Sequence, residues 1–99
     1  MSEVFTLPSR LDSSGALPLM QGLLARRGQP VTLDARGVDL VGALALEVIV
    51  AAGRQWAADH QELLIAGPSD RFTAACDAMG LCATAPWQGL GVTGSEARA

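Results

Sequence analysis

Residues 31–56, VTLDARGVDLVGALALEVIVAAGRQW, decide the fold of this chain. Residues 31–33 form a short run rich in β-formers, which predicts a buried strand that ends at Asp34. The next residues have the composition of a turn, and residues 38–41 are again short and apolar. From about residue 42 to residue 59 apolar side chains recur at helical spacing. We therefore predict a long helix with one face packed on a sheet.

The flanking segments repeat this alternation of strand and helix. Residues 3–11 alternate as an edge strand does. The helix that follows is predicted to start within residues 13–17, because Pro18 is tolerated only in a first turn. Residues 62–66 predict a second buried strand and residues 69–80 a third helix. The fold class is therefore α/β: a mixed, mostly parallel sheet of about four strands packed with about three helices.

Ninety-nine residues fit one domain. We predict a single domain over residues 1–85 and a C-terminal tail over residues 86–99. Residues 81–85 are interpreted as a last short edge strand. Trp87 either packs the tail onto the domain or marks a partner surface, since Trp is enriched among interface anchors.

Composition and charge exclude several classes of function. The chain is 49% hydrophobic with a formal net charge of −3, and Arg26-Arg27 is its only obvious basic cluster, so nucleic acid is not an expected partner. No apolar run approaches the roughly 18 residues of a membrane span. The N-terminal residues do not resemble a signal peptide. We expect a cytoplasmic protein without direct membrane insertion.

No catalytic or metal-binding constellation is evident. The single histidine, His60, lies in a polar turn, and Cys76 and Cys82 are interpreted as reduced, buried thiols. Asp34 and Asp39 flank the loop before the long helix, where Asp34 is expected to accept hydrogen bonds from turn amides. The free amides of a helix start leave weak nucleotide binding open. We predict a protein that is not an enzyme and holds no cofactor and no metal.

The order of elements and residues 31–81 resemble the STAS domain, the fold of anti-sigma factor antagonists. Most of the chain resembles the family more loosely. The matching motifs are LD at 11–12, VTLD at 31–34, Val38, GPS at 67–69 and MGL at 79–81. The resemblance implies a STAS-like α/β fold and a non-catalytic role in binding another protein.

The chain departs from this family at the start of the long helix. Counted from Val38, the family's Asp-Ser-Ser-Gly falls on residues 42–45, so the usual phosphoacceptor serine is replaced by Leu44. Leucine has no hydroxyl, and the kinase switch that adds negative charge at a helix N-terminus cannot operate there. The literal DSSG at residues 12–15 lies in another element and is interpreted as a helix cap.

Within the family, the chain is most similar to short stand-alone STAS proteins associated with bacterial chemotaxis genes. The cues are ALA at 43–45, VIVAA at 48–52, Trp56 and the start of the third helix; Glu47 stands near a position that is often Gln in that subgroup. This resemblance implies a chemotaxis-linked signalling adaptor. The alternatives are a small soluble STAS subunit of a phospholipid-transport ATPase complex and a constitutive anti-sigma factor antagonist.

The partner-binding site is predicted at the joint between the loop and the long helix. An apolar centre beside acidic side chains would give a partner a desolvated core and a polar rim. The predicted residues are Asp39, Leu40, Val41, Gly42, Ala43, Leu44 and Glu47, and the start of the third helix is a further candidate. The expected partner is a chemotaxis or other signalling protein, and a homodimer is left open.

Overall fold

The structure is a computed structural model, and it describes residues 3–87. In chain order the elements are β1 (Glu3–Thr6), β2 (Arg10–Leu11), α1 (Ser13–Ala25), β3 (Val31–Asp34), β4 (Leu40–Val41), α2 (Ala43–Ala58), β5 (Leu63–Ala66) and α3 (Asp70–Ala78). The predicted α/β class is confirmed, with three helices following strands in alternation.

The strands form two parallel sheets. The larger has the order β1-β3-β5, and the smaller pairs β2 with β4. In the larger sheet Leu33 lies opposite Phe5 on one side and Ile65 on the other. Every ladder within residues 3–87 is parallel, so each connection between paired strands crosses over, as helices in a βαβ unit do.

The helices cover one face of the three-stranded sheet. Val31 and Leu33 of the central strand are fully buried, because alternate side chains of a strand point to the same face. The opposite face is more open: Val4 and Leu64, which align on either side of Thr32, are 59% and 44% exposed. The domain therefore has one well-packed core between the sheet and the helices.

The DSSG segment is a helix cap, as predicted. Asp12 is the N-cap of α1, and its carboxylate accepts hydrogen bonds from the backbone amides of Ser14 and Gly15. The Ser14 hydroxyl also donates to this carboxylate at 2.6 Å. The hydrogen bond to Ser14 is the largest cause that holds the pKa of Asp12 below its usual value. One side chain thus provides the hydrogen-bond acceptor for two first-turn amides that have no acceptor within the helix.

The long helix α2 confirms the strongest sequence prediction, since its N-cap is Gly42 and its C-cap is Asp59. Trp56 is 2% exposed, as expected of a core residue. A Cβ added at Gly53 would overlap the ring of Trp87, so this glycine makes room for the indole, which packs against the core.

The predicted edge strand at residues 81–85 is absent. Gly80 has a positive φ of 74°, and the amide of Leu81 donates to the carbonyl of Cys76 at 2.8 Å. This backbone pattern closes α3 with a left-handed residue and an apolar residue after it. Because the amide of Leu81 caps the helix, it does not join a ladder, and Ala85 donates to Cys82 in a turn.

The two cysteines differ, although both were expected to be buried. Cys76 is fully buried, and burial raises the pKa of its thiol to about 11. Cys82 is exposed and lies 3.3 Å from the hydroxyl of Thr84, a hydrogen bond that lowers its pKa. The turn after Leu81 places Cys82 outside the core.

Pro86 is buried and Trp87 packs against the core, as the first of the two alternatives for Trp87 predicts. The rest of the predicted tail, residues 88–99, lies outside the described residues, and the domain boundary at residue 85 stays a prediction. Within residues 3–87 no helix is long and apolar enough to cross a membrane.

Candidate protein-interaction site

The backbone of the loop before α2 is fixed by β2. The amides of Asp39 and Leu40 both donate to the carbonyl of Ser9, at 2.8 and 3.1 Å, and the amide of Gly42 donates to the carbonyl of Leu11 at 2.8 Å. These bonds give the backbone amides of residues 39, 40 and 42 hydrogen-bond acceptors within the protein. The loop therefore enters the helix along a defined path.

The other side of the loop is tied to the start of α3. Val38 is 2% exposed, and its carbonyl accepts a hydrogen bond from the hydroxyl of Ser69. The amide of Ser69 donates to the carbonyl of Ala35 at 3.1 Å. Asp34 accepts from the amide of Arg36 at 3.1 Å, the turn role predicted for it. The starts of α2 and α3 are thus joined through one loop.

The predicted site residues lie at the surface. Two apolar side chains are well exposed, Leu40 at 43% and Leu44 at 51%. Asp39, Ala43 and Glu47 are exposed, whereas Val41 and Gly42 are half-buried. Within the described part of the chain, neither acidic side chain forms an ion pair. The site is an apolar ridge with two free carboxylates beside it.

Sequence reasoning missed the contribution of α1. A groove of about 380 Å³ runs between α1 and α2, and Leu44 and Glu47 line it together with Met20 and Leu24 of α1. The signal was present in the sequence: residues 13–25 contain more apolar residues than one helix stripe needs and no charged residue. When a helix is apolar around most of its circumference, packing on the sheet buries only one side, and apolar side chains on the other side stay at the surface.

The N-terminus of α2 has no side-chain cap, because its N-cap residue is Gly42. Its φ of −105° and ψ of 163° suit any residue, and an added Cβ would meet Leu11 O at an ordinary 3.5 Å. Gly42→Ser should therefore raise the free energy of unfolding by about 0.5 kcal/mol, through a new cap and a less flexible unfolded chain.

Urea denaturation of the Gly42 variants checks this effect. Gly42→Ala fills the same space without a capping oxygen, and it should be about 1 kcal/mol less stable than Gly42→Ser. Equal stabilities of the serine and alanine variants would contradict the capping argument.

The described residues offer little for catalysis. His60 is exposed in a turn with a φ of 57°, and no group of three His, Cys, Asp or Glu side chains within residues 3–87 could hold a metal ion. Cys76 is buried with a raised pKa, the opposite of what a nucleophile needs. The pKa of the exposed Cys82 is lowered, but the side chain that hydrogen-bonds to its thiol is Thr84, which is not a general base. What the arrangement can do is bind: it presents a fixed apolar surface with an acidic margin.

These features define a small α/β binding domain. The family model described as "Mlab, STAS domain" matches residues 2–83, so the chain belongs to the STAS family. No curated protein and no solved structure matches the chain. Membership of this family indicates a protein-interaction role similar to that of anti-sigma factor antagonists.

Proposed function

We propose that this protein is a non-catalytic adaptor that binds a protein partner in bacterial, cytoplasmic signalling, most specifically in a chemotaxis-linked assembly. One observation carries the proposal: Leu40 and Leu44 are 43% and 51% exposed on a loop whose backbone is fixed. Exposed apolar side chains on a preorganised segment bind a partner at a low cost in conformational entropy. The chemotaxis link rests on the sequence resemblance alone.

The acidic side chains define the margin of the proposed surface. Asp39 precedes Leu40, and Glu47 lies one turn after Leu44 on the same helix. Both carboxylates are exposed and free of ion pairs within residues 3–87. A partner with an apolar centre and basic side chains around it would complement this surface in shape and charge.

The binding is proposed to be constitutive. Leu44 is the second residue of α2. Counted from Val38, it stands at the position that the sequence resemblance assigns to the phosphoacceptor. Residues 42–45 are Gly, Ala, Leu and Ala, and none of them has a hydroxyl. Phosphorylation in this turn would add charge next to Leu44. Because residues 42–45 have no hydroxyl to phosphorylate, the apolar surface cannot be altered in this way.

Ala43→Arg tests the site directly. Ala43 is exposed at the first position of α2, so the thermal midpoint should stay nearly unchanged, while the long charged side chain blocks the apolar surface and abolishes partner binding. Ala57→Arg is the matched control: it places the same residue at an exposed alanine near the other end of α2, and it should keep the partner.

Affinity capture from the native cell lysate, followed by mass spectrometry, compares the three proteins. The proposal predicts chemotaxis kinases, response regulators or receptors with the wild type and with Ala57→Arg, and their loss with Ala43→Arg. Equal recovery by all three proteins would show that the interface lies elsewhere.

The missing hydroxyl also favours a second candidate. A surface that cannot be switched off suits a permanent subunit, so a small soluble STAS subunit of a phospholipid-transport ATPase complex is the alternative. It predicts stable co-purification with a membrane ATPase. A constitutive anti-sigma factor antagonist would instead recover an anti-sigma kinase, so the same capture experiment separates the three pathways.

A further inference from the structure

The last described residues fasten the chain to α2. The side chain of Pro86 is fully buried, and the ring of Trp87 occupies the space that a Cβ at Gly53 would need. The backbone of Pro86 and Trp87 is helical, and proline is favoured at the first position of a helix, where its fixed φ suits the turn. The chain therefore passes beyond the described residues from a fixed point on α2, in a helical turn.

A second apolar groove lies next to this point. The α2–α3 groove has a volume of about 300 Å³ and runs between α2 and the residues that end α3. Its apolar lining consists of Leu46, Val50, Ala51, Met79 and Leu81. Gly53, on which the indole packs, lies between Val50 and Arg54 in the chain, and both of these residues line the groove. Met79 is 44% exposed at the rim.

The residues that follow Trp87 suit this groove. Residues 88–95, QGLGVTGS, contain no charged side chain and two large apolar ones, Leu90 and Val92. A continuation of the helical turn would place Leu90, three residues after Trp87, on the same side as the indole and therefore towards α2. Gly91 is the residue type that most often ends a helix in the left-handed conformation. The segment thus has one apolar anchor at the spacing that the groove requires.

The short connection favours this segment over any separate molecule. Three residues of chain span at most about 11 Å, so Leu90 cannot move far from the indole that packs on Gly53. A group tethered so closely has an effective concentration on the order of millimolar or higher. A separate molecule would have to displace it from the groove.

We infer that residues 88–92 of this chain occupy the α2–α3 groove, with Leu90 packed against Val50 and Met79. The inference goes beyond the proposed function and does not rest on it. No partner takes part in the docking, so its failure would leave the capture experiment with Ala43→Arg unaffected.

The docked segment limits where a partner can bind. Glu47 lines the α2–α3 groove and also stands at the margin of the proposed partner surface. Leu40 and Leu44 do not line this groove. The segment therefore covers the apolar groove beside Glu47 and leaves the ridge of Leu40 and Leu44 exposed.

Methyl NOE spectroscopy of the full-length, isotope-labelled chain tests the docking directly. We expect cross-peaks between the methyl groups of Leu90 and those of Val50 and Met79, because these groups would be in contact. Cross-peaks from Leu90 to its sequence neighbours alone would overturn the inference. A mixture of labelled and unlabelled chains shows whether the contacts form within one chain. Contacts between chains would overturn the inference too, since the occupant would then be a second copy.

Thermal unfolding measures the contribution of Leu90. Leu90→Ser should lower the thermal midpoint by about 5 °C, because the burial of a leucine side chain is lost. Ala97→Ser is the matched control: it makes an apolar-to-serine change beyond the docked residues and should leave the midpoint unchanged. A midpoint of Leu90→Ser equal to that of the wild type would contradict the docking.

Met79→Glu tests the groove from its other wall. Met79 is the exposed C-cap residue of α3, so the fold should survive, while a carboxylate at the apolar rim should remove the cross-peaks between Leu90 and Val50. Leu64→Glu changes an exposed leucine of the open sheet face and should keep them. Cross-peaks that survive Met79→Glu and disappear in Leu64→Glu would place the segment on the sheet and overturn the inference.

Discussion

Replacing Trp56 by alanine is expected to lower the free energy of unfolding by about 3–5 kcal/mol, the usual range for deleting a buried aromatic side chain. Trp56 is 2% exposed, and its indole nitrogen donates to the carbonyl of Gln29 at 2.8 Å. The ring therefore joins α2 to the segment before β3 by both packing and a hydrogen bond. Its removal leaves a cavity at the end of the helix layer.

Trp56→Phe separates the two contributions. Phenylalanine keeps most of the apolar volume and loses the donor, so it should cost about 1 kcal/mol for the missing hydrogen bond and somewhat more for the smaller ring. Urea denaturation followed by circular dichroism gives both values from the shift of the midpoint, with the slope unchanged. If the phenylalanine and alanine variants were equally unstable, the hydrogen bond rather than the packing would dominate.

The strand and helix pattern was predictable where the local signals agreed. The long helix α2 was predicted from about residue 42 to residue 59 and is found as Ala43–Ala58, between Gly42 and Asp59. Apolar periodicity, a small residue at the start and a polar turn at the end all indicate the same element. The cap at Asp12 was likewise predicted from the sequence. These signals depend only on neighbours within a few residues.

The errors arose where the outcome depends on distant parts of the chain. Leu81 is apolar and follows a helix, which is compatible with a strand, yet its amide is used to close α3. Gly53 has no local reason to be a glycine, and the reason is the ring of Trp87, which lies 34 residues further along the chain. Periodicity within one window contains no information about either contact.

The candidate site was predicted only in part for the same reason. The loop residues were proposed because they are contiguous in sequence and stand where the family carries a motif from which this chain departs. The groove was not predicted, because its second wall comes from α1. The sequence of α1 has two apolar stripes, and it does not show which of them faces the core. Leu19 and Leu23 are buried, whereas Leu17 and Leu24 are not. The surplus of apolar residues was the available signal.

The register of α2 yields the second large prediction. Ala45 is fully buried and is two residues from the exposed Ala43, a rotation of about 200° around the helix. Ala45→Arg forces a charge and a long side chain into the core. It should lower the free energy of unfolding by at least about 4 kcal/mol, from overpacking together with an unpaired buried charge. A domain with an ordinary stability of about 5–15 kcal/mol would be partly or fully unfolded.

The contrast with Ala43→Arg makes this prediction informative about function. Both variants add the same charge to the first turn of one helix, so they differ only in the direction of the side chain. We expect Ala45→Arg to lower the thermal midpoint and Ala43→Arg to leave it unchanged. Partner capture should fail for both variants: Ala45→Arg loses the fold, and Ala43→Arg blocks the binding surface. If Ala45→Arg kept its thermal midpoint and Ala43→Arg lost it, Ala43 rather than Ala45 would face the core. The register of α2, on which the proposed surface depends, would then be wrong.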